Sequence, residues 1–515
     1  MAAIATTSSA LTTATLVNGP STQKKKKLPK IIPPPNDENG QPRPRTLVLC
    51  FDGTGDQFDA DNSNVIQFFS LLQKYDHTQQ MVYYQAGIGT YTVPQIATPL
   101  WASFSKTVDA AIAWNLDAHV MDGYAFLMQN YQANDKICIF GFSRGAYTAR
   151  SLAGMIHKVG LLPADNHQQV PFAYKMYTRC DNVGWEQSVA FKKAFSIDVK
   201  IEFVGVWDTV NSVGLIPKRL PFVSSNTAIR FFRHAVSLDE RRAKFKANLY
   251  NRPTRWEAAL GVGEGEMPSP RVSGEGVGVG VGGAGVSSGV SGSGGKETKE
   301  EEDLKKVVPE TDVLEVWFAG CHCDVGGGSV RNNTRHNLAR IPLRWMIRQC
   351  FLANTGIRFH TSLLRQVGLD PEGLYPVVKE RPRAVFVKTP HALLTRLTIS
   401  PPGTLTEEEE DLADALCPIY DQLEVARVWW VLEVLPFVQR WQVPGGEGRW
   451  EEGVWINRGR GRDVPTPLLP ETFNVHRTVD VRMKATGYVR DRKGGVVRGV
   501  YRPRARYDAT PVWVD

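Results

Sequence analysis

Serine, aspartate and histidine residues that could act together in nucleophilic catalysis follow three apolar stretches of this 515-residue sequence. They are Ser143, Asp208 and His322. A serine hydroxyl is a weak nucleophile at neutral pH, so it needs an imidazole that takes its proton. The imidazole in turn needs a carboxylate that fixes its tautomer and stabilises its charged form. The three residue types therefore predict attack of a serine on an acyl carbonyl.

The segment around Ser143 has the pattern that such a nucleophile requires. Gly141-Phe-Ser-Arg-Gly145 fits G-x-S-x-G, with the apolar residues Ile137–Phe140 before it and the helix-forming run 146–153 after it. This order predicts a buried strand, a sharp turn with the serine at its apex, and a helix whose positive end faces the developing charge. A chance glycine–serine turn is the simpler alternative, but the flanking strand and helix favour the nucleophile.

Further apolar runs supply the sheet that would position these residues. Strands that alternate with helices predict an α/β fold, in which a mostly parallel sheet carries helices on both faces. The predicted strands are Thr46–Phe51, Val82–Tyr84, Ile137–Phe140, Ile201–Trp207 and Val313–Phe318, and the predicted helices are 64–75, 106–131 and 338–353.

In a sheet of this kind, active residues gather on the loops at the carboxyl ends of the strands. The loop Asp52–Asp56, Ser143, Asp208 and His322 all hold this position, and the chain order Ser, Asp, His is that of an α/β hydrolase. An oxyanion would also need hydrogen-bond donors. We expect one from the backbone N–H of Arg144, and a second from Gly53 or Thr54.

Two other histidines compete with His322 for the role of the base. His234 lies in a charged segment that is interpreted as a helix or turn, where we expect a structural, hydrogen-bonded histidine near the site. His476 lies in the last part of the chain and could reach back to the serine. We favour His322, since it directly follows a strand of the sheet.

Several polar residues near the candidate triad have more than one interpretation. Asp208 could merely cap the next helix, although the triad role is favoured. Asp52 could be a turn residue that bonds its own backbone. Asp324 could bind the glycine-rich backbone that follows it or orient His322. Arg144 could hold a lipid phosphate through paired hydrogen bonds, or pair with a neighbouring acid.

Four motifs in a fixed order resemble those of a known family. They are Phe51-Asp-Gly-Thr-Gly-Asp56, Gly141-Phe-Ser-Arg-Gly145, Val206-Trp-Asp-Thr-Val210 and His322-Cys-Asp-Val-Gly-Gly-Gly328. Together they resemble an α/β-hydrolase family whose best-understood members are the phospholipase catalytic domains of bacterial type VI secretion effectors. The resemblance runs from about Thr46 to Ile347 and is broken by an insertion at 261–306. Members often carry Asn at the position of Asp56.

The resemblance implies a Ser–His–Asp lipid esterase with Ser143 as nucleophile and Asp208 as acid, and we place the base at His322. The expected substrate is an acyl ester of a lipid, most simply a phospholipid, and the expected chemistry needs no metal and no organic cofactor. A carboxylesterase or thioesterase on the same scaffold is one alternative. A catalytically inactive binding protein is another.

Composition divides the chain into three parts. Residues 1–44 are rich in Ser, Thr, Lys and Pro and are expected to be disordered. Residues 45–353 form the predicted catalytic domain, in which 261–306, dominated by Gly, Val and Ser, form a predicted disordered insertion. Residues 354–515 are expected to pack on the catalytic domain as an extension that includes an acidic loop at Glu407–Glu410.

The formal net charge of +8 is unevenly placed. Between Arg477 and Arg506 there are ten Lys or Arg residues and only two acids. This segment could contact an anionic membrane surface, although a solvated surface is favoured, and no nucleic-acid partner is expected. The amphipathic stretch Val425–Trp441 is predicted to be a helix packed on the core rather than a membrane contact. The oligomeric state is not predicted.

Seven cysteines, several of them in apolar runs, are typical of reduced core thiols and favour an intracellular, cytoplasmic location. No signal peptide is predicted, because the basic residues follow the N-terminal apolar stretch, and no apolar window is long enough to span a bilayer. Cys321-His322-Cys323 is not predicted to bind zinc, since adjacent residues of a strand point to opposite faces.

Overall fold

The computed structural model describes residues 28–54, 56–87, 101–210, 220–251, 311–387, 396–397, 400–401, 403–442, 450–464 and 472–515. For residues 101–115 it describes the backbone alone. Residues 1–27 and the predicted insertion 261–306 lie outside these ranges, so the disorder expected there stays a prediction.

Eight strands of the described chain form one sheet in which each neighbouring pair runs parallel. Numbered along the chain, the strands are β1 (Ile31–Ile32), β2 (Thr46–Phe51), β3 (Gln80–Gln85), β4 (Lys136–Phe142), β5 (Ile201–Trp207), β6 (Ile229–Ser237), β7 (Asp312–Phe318), β8 (Phe359–His360), β9 (Pro436–Gln442), β10 (Trp450–Ile456), β11 (Thr472–His476) and β12 (Thr510–Val514). The main sheet has the order β12-β11-β7-β6-β5-β4-β2-β3. The carboxyl ends of its strands therefore meet along one edge.

Helices cover both faces of this sheet. The α-helices of the described residues are α1 (Asn64–Leu71), α2 (Trp101–Asn130), α3 (Ser143–Val159), α4 (Val170–Thr178), α5 (Asn182–Phe195), α6 (His322–Gly326), α7 (Arg340–Leu352), α8 (Thr361–Gln366), α9 (Pro371–Leu374), α10 (Glu407–Ala415), α11 (Gln422–Val425), α12 (Trp430–Glu433) and α13 (Thr478–Lys484). Two 3-10 turns occupy His167–Gln169 and Arg427–Trp429. Helices α2 to α5 pack on one face, and α1 and α7 on the other. The predicted α/β fold is confirmed.

The side chains of β4 show how the sequence builds two cores. Ile137 and Ile139 belong to the apolar cluster on one face, whereas Cys138 and Phe140 belong to the cluster on the other. Successive side chains of a strand alternate between faces, so a continuous apolar run fits a strand that is covered on both sides. Every residue of this strand after Lys136 is buried, and the strand ends next to the candidate nucleophile.

The prediction of disorder for residues 1–44 is wrong for residues 28–44. Ile31 and Ile32 form β1, which pairs antiparallel with β8. Ile32 is fully buried, and the carbonyl oxygen of Lys30 accepts a hydrogen bond of 2.9 Å from the N–H of Thr361. Here the burial of apolar surface offsets the entropy cost of ordering the chain. The prediction of disorder followed the proline-rich composition and did not take this burial into account.

The last part of the chain extends the main sheet instead of only packing outside it. β11 pairs with β7 and with β12, so residues 472–514 form its edge. The segment expected to be an acidic loop is the first turn of α10, which Thr406 and Glu409 close with a capping box. Its carboxylates are buried against arginines, since Arg348 pairs with Glu407 and Arg381 pairs with Glu408, and such ion pairs leave no pattern in the sequence.

The prediction of one core-packed helix at Val425–Trp441 is also wrong. The stretch forms the end of α11, a 3-10 turn, α12 and β9, and β9 pairs antiparallel with β10. Many of its apolar side chains are exposed: Val425, Val428, Trp430, Val431, Val434, Leu435, Val438 and Trp441. The apolar spacing of this stretch therefore did not indicate a buried face.

Within the described residues, no helix combines the length and the apolar character that crossing a bilayer requires.

Candidate active site

Ser143 stands at the sharp turn between β4 and α3. β4 ends at Phe142, and Ser143 opens the helix with a backbone φ of 58°. A residue with a Cβ adopts this left-handed conformation only where its surroundings impose it. A Cβ on Gly145 would overlap the backbone oxygen of Asp52, and one on Gly141 would lie 2.5 Å from the oxygen of Gly145. The two glycines therefore allow the tight approach that holds the serine at the apex.

Two hydrogen bonds join Ser143, His322 and Asp208. Nε2 of His322 lies 2.8 Å from Oγ of Ser143, and Nδ1 lies 2.6 Å from Oδ2 of Asp208. With its proton on Nδ1, the imidazole donates to the carboxylate and accepts from the serine hydroxyl. The exposed fraction is 6 % for Ser143, 3 % for His322 and 0 % for Asp208. This geometry places a base on the serine proton in a site that is largely closed to solvent.

Burial and charge act in opposite directions on the pKa values of this pair. Burial lowers the pKa of His322, and the hydrogen bond with Asp208 offsets only part of that change. Burial alone would raise the pKa of Asp208, but Arg462 and His322 outweigh it and hold that pKa well below its ordinary range. At neutral pH the imidazole is therefore neutral and the carboxylate charged, as a base and its partner require.

His322 opens the short helix α6. The strand that we predicted for Cys321-His322-Cys323 when we rejected zinc there is therefore wrong. Asp324 shapes this turn: its carboxylate accepts from the N–H of Cys321 at 2.9 Å, from the N–H of Tyr420 at 2.9 Å and from the hydroxyl of Ser329 at 3.0 Å. Burial raises the pKa of Asp324 to about 6. Asp324 thus binds backbone around the histidine and leaves the imidazole to other partners.

In the loop that contains Asp52, one of the predicted oxyanion donors, the N–H of Gly53, already has a partner. The N–H of Gly53 donates to Oδ1 of Asp52 at 2.8 Å, so it is already engaged. Asp52 also accepts from the hydroxyls of Ser63 at 2.6 Å and Tyr84 at 2.8 Å. Asp52 is therefore a loop-organising residue, in agreement with its interpretation as a turn-former.

Arg144 and Thr54 remain as candidate oxyanion donors. Arg144 is the second residue of α3, where backbone N–H groups have no partner within the helix. Burial lowers the pKa of its guanidinium to about 10, and the nearby Asp56 acts against this change. Burial, and then the charge of Asp52, raise the pKa of Asp56 to about 8. Asp56 is therefore mostly neutral at pH 7, and it adds little negative charge beside the nucleophile.

A comparison with family models identifies the family to which this fold belongs. Residues 45–349 match the model described as "T6SS, Phospholipase effector Tle1-like, catalytic domain". The chain belongs to this Tle1-like family. The resemblance carried by the four sequence motifs is thereby confirmed. The matched range contains Ser143, Asp208 and His322.

Similar proteins extend the comparison. The "Uncharacterized protein YEL023C" of Saccharomyces cerevisiae is 28 % identical over 554 residues, which cover 85 % of this chain and 79 % of that protein. The crystal structure of an uncharacterized protein from Pseudomonas aeruginosa aligns over 73 % of this chain and 53 % of the other, with 16 % identity and a TM-score of 0.32. The Tle1 effector bound to the VgrG spike from the Type 6 secretion system aligns over 55 % and 51 %, with 15 % identity and a TM-score of 0.23. This Tle1-like chain thus matches about half the length of each solved chain.

The two rival histidines of the Tle1-like chain are engaged elsewhere. His234 lies in strand β6, not in the predicted helix or turn; its Nδ1 lies 2.7 Å from a carboxylate oxygen of Glu315, and its Nε2 accepts from the N–H of Thr209 at 3.1 Å. It is the hydrogen-bonded, structural histidine that we expected. His476 is buried at the end of β11, where Nδ1 lies 2.8 Å from the hydroxyl of Thr478. The imidazole bonded to the candidate nucleophile is that of His322.

Arg462 is the site residue that sequence reasoning missed. Its guanidinium contacts both oxygens of Asp208, although 254 positions separate the two residues. Arg462 stands in a short loop with other arginines and glycines, and no motif or periodicity distinguishes it from them. It lies beyond the range that matches the Tle1-like model.

One cluster of side chains within the described residues has the spacing of metal ligands: His336, Glu410 and Asp414. Arginines already pair with its carboxylates. Nη2 of Arg340 lies 2.9 Å from Glu410, and Nη2 of Arg344 lies 2.7 Å from Asp414. Such cations neutralise the charge that a metal ion would need, so the cluster is a buried ion-pair network.

Proposed function

We propose that this Tle1-like protein is a serine hydrolase that cleaves an acyl ester of a phospholipid. The observation that carries the proposal is the pair of hydrogen bonds that links Ser143 to His322 and His322 to Asp208. Membership of a family described as phospholipase effectors supports the lipid substrate. The strained turn at Ser143 supports the role of that residue as the nucleophile.

The proposed reaction begins when Oγ of Ser143 attacks the acyl carbonyl carbon while Nε2 of His322 takes the hydroxyl proton. Asp208 stabilises the imidazolium that forms. The backbone N–H groups of Arg144 and Thr54 donate to the developing oxyanion. The imidazolium then gives its proton to the leaving alcohol. A water molecule, deprotonated by the same imidazole, then attacks the acyl carbon. The fatty acid leaves as its bond to Oγ of Ser143 breaks, and the imidazolium returns the proton to that oxygen.

The side chain of Arg144 favours a substrate with a phosphate. The guanidinium directly follows the nucleophile and is only partly exposed. Asp56 is the acid whose charge acts on it, and the raised pKa of Asp56 leaves that acid mostly neutral at pH 7. Among the described residues, the positive charge of Arg144 is therefore poorly balanced, and an anionic head group would balance it.

Contact with a membrane surface is part of the proposal. Of the basic residues near the C-terminus, Arg477, Lys484, Arg504 and Arg506 pair with acids. Others are exposed and have no acid partner among the described residues: Arg490, Arg492, Lys493, Arg498 and Arg502. Basic side chains of this kind are attracted to anionic lipid head groups.

A second surface supports the same contact. We use the term apolar face for the exposed apolar side chains of 425–441 and 454–456, which include Val438 opposite Val454 in the β9–β10 pair and the half-exposed Trp455. The face adjoins the active site, because Trp429 contacts Phe245, with the ring centroids 5.7 Å apart, and Phe245 contacts the imidazole of the candidate base. Contiguous exposed apolar side chains often mark interaction sites, and tryptophans favour the membrane interface.

The test of the proposed reaction compares substrates. Wild type and Ser143→Ala are incubated with phosphatidylglycerol vesicles, with a soluble p-nitrophenyl ester and with an acyl thioester, and released fatty acid is identified by mass spectrometry. We expect wild type to release fatty acid from the vesicles and Ser143→Ala to release none. Turnover of the soluble ester or thioester alone would favour a carboxylesterase or thioesterase. No turnover by folded wild type would favour an inactive binding protein.

The membrane contact is tested with substitutions on the apolar face. Val431→Ser with Val434→Ser should weaken flotation with anionic vesicles and slow vesicle hydrolysis, because exposed apolar area is lost. Hydrolysis of a soluble ester should stay at the wild-type rate. The matched control is Phe172→Ser with Val183→Ser, which alters exposed apolar side chains of α4 and α5. Equal flotation of wild type and both variants would contradict the proposed contact.

A further inference from the structure

Arg462 holds the carboxylate of Asp208 through a two-point ion pair. Nη1 of Arg462 lies 2.5 Å from Oδ1 of Asp208, and Nη2 lies 2.8 Å from Oδ2. Nε and Nη2 also donate to the backbone oxygen of Phe245, at 2.9 Å and 2.6 Å. Only 2 % of Arg462 is exposed. A planar guanidinium bonded to both oxygens fixes the plane of the carboxylate as well as its position.

The backbone around Arg462 is held in place by the final segment of the chain. The carbonyl oxygen of Arg462 accepts from the N–H of Arg506 at 2.8 Å, and the N–H of Val464 donates to the oxygen of Arg506 at 2.9 Å. The N–H of Ala505 donates to the oxygen of Leu238 at 2.7 Å, just past the end of β6. Two C-terminal segments are thereby laid across the end of the sheet, beside the candidate triad.

We infer that Arg462 is a positioning residue for the proposed serine chemistry and that it acts on His322 through Asp208. The inference rests on the proposed function. A buried carboxylate without a second partner would strongly favour the protonated imidazole, which cannot accept the serine proton. Arg462 neutralises part of that negative charge. It also keeps Oδ2 of Asp208 pointed at Nδ1, so the imidazole remains a neutral, oriented base.

The other charges around the imidazole do not perform this task. Among the residues that the structure describes, the charged or titratable groups that face the pair of His322 and Asp208 are His234, Glu240, Arg242 and Arg462. Oε2 of Glu240 accepts from the backbone N–H of His322 at 3.2 Å and pairs with Arg242 at 2.9 Å, so these two charges balance each other. His234 is bonded to Glu315. Within the described part of the chain, Arg462 is the arginine or lysine in direct contact with the carboxylate of Asp208.

The inference gives the last part of the chain a role in the chemistry. The match to the Tle1-like model ends at residue 349, and Arg462 lies in the part beyond it. That part also supplies Tyr420, whose N–H binds Asp324 next to the candidate base. Residues from outside the matched range therefore contact both the carboxylate of Asp208 and the turn that carries the base.

The test uses Arg462→Met, which removes the charge, and Arg462→Lys, which keeps the charge but loses the planar fork. The control is Arg344→Met, because Arg344 is equally buried and its loss also removes a cation partner from two buried carboxylates, Asp411 and Asp414. The full chain is used, and folding is followed by thermal melting. We measure kcat, KM and the pH profile with a soluble ester, and the imidazole titration of His322 by NMR with labelled histidine.

Arg462→Met should lower kcat about 10–100-fold with little change in KM, the size of effect seen when an outer hydrogen-bonded partner of a site residue is lost. In Arg462→Met, the midpoint of the acid limb of the pH profile and the midpoint of the His322 titration should both rise by roughly 0.5–1 pH unit. Arg462→Lys should restore the titration but only part of kcat. The inference would be overturned if either folded variant kept both the wild-type kcat and the wild-type titration of His322. It would also be overturned if Arg344→Met showed the same changes as Arg462→Met. An inactive wild type would refute the proposed function alone, since the NMR titration still decides the role of Arg462.

Discussion

The ring of Phe142 packs against the imidazole of His322, with 4.7 Å between the ring centroids and 32° between the planes. Phe142 immediately precedes the candidate nucleophile, so one residue couples the nucleophile turn to the position of the base. Phe245 contacts the same imidazole edge-on, at 4.9 Å. Gly326, the last residue of α6, leaves room for this packing, because a Cβ there would overlap the ring of Phe142. The placement of the base thus depends on a glycine four residues after it.

Gly326→Ala should therefore displace the base. The new methyl group would push Phe142 away from the imidazole, and a misplacement of about 1 Å in an active site costs on the order of 100-fold in rate. We expect kcat for a soluble ester to fall by about that factor in a protein that still melts cooperatively. The matched control is Gly499→Ala, where a Cβ would meet no heavy atom within 4 Å. Equal kcat in wild type and folded Gly326→Ala would contradict the proposed packing.

The pH dependence of kcat/KM should report His322. Below its pKa the imidazole is protonated and cannot accept the serine proton, so activity is lost as the pH falls. Because burial lowers the pKa of His322, the midpoint of this acid limb should lie below the ordinary histidine value of about 6.5. The measurement is a pH profile with a neutral soluble ester, with protein stability checked at each pH. A midpoint above 7 would argue against this assignment.

Asp56 should control the alkaline side of the profile. Its carboxyl has a pKa of about 8, so it ionises above that pH and places a negative charge near the developing oxyanion. Wild-type activity should decline above pH 8, whereas Asp56→Asn, which stays neutral, should keep its activity. At pH 6 the two proteins should have closely similar rates, because the carboxyl is already protonated. A shared alkaline decline in both proteins would show that another group is responsible.

The same substitution should also change stability in a defined direction. The folded protein holds a proton on Asp56 up to about pH 8, whereas the unfolded chain releases it near pH 4. Wild type therefore loses stability as the pH rises between these values, and Asp56→Asn does not. We expect Asp56→Asn to raise the melting temperature more at pH 8 than at pH 4. A larger gain at pH 4 would contradict the raised pKa.

Sequence reasoning located the elements whose signal is local. β2 and β5 have the predicted bounds, because each is a mostly apolar run that is largely buried on both faces. β6 was missed, since Arg233 and His234 interrupt its apolar pattern. Both are buried in the strand because they find partners on other elements: Arg233 bonds Gln349 of helix α7 at 2.9 Å, and His234 bonds Glu315 of the neighbouring strand β7. Tertiary contacts of this kind make a polar strand stable, and they cannot be read along the chain.

The residues of the candidate site likewise fall into those that local sequence signals reveal and those that depend on tertiary contacts. Ser143, Asp208 and His322 could be found because each ends a strand or its loop, and the carboxyl ends of parallel strands meet. The engagement of Gly53 by Asp52 is a detail of loop geometry that the glycine-rich sequence leaves open. Arg462 could not be found, because its contact depends on how the last segment crosses the sheet.

The central claim is that Ser143 is an activated nucleophile, and labelling by a fluorophosphonate probe tests it most directly, since only an activated serine reacts. Wild type, Ser143→Ala and His322→Ala are treated with the probe at neutral pH, and the modified peptide is identified by mass spectrometry. We predict that wild type is labelled at Ser143, and that neither variant is labelled although both remain folded. No labelling of folded wild type, or equal labelling of Ser143→Ala, would contradict the account.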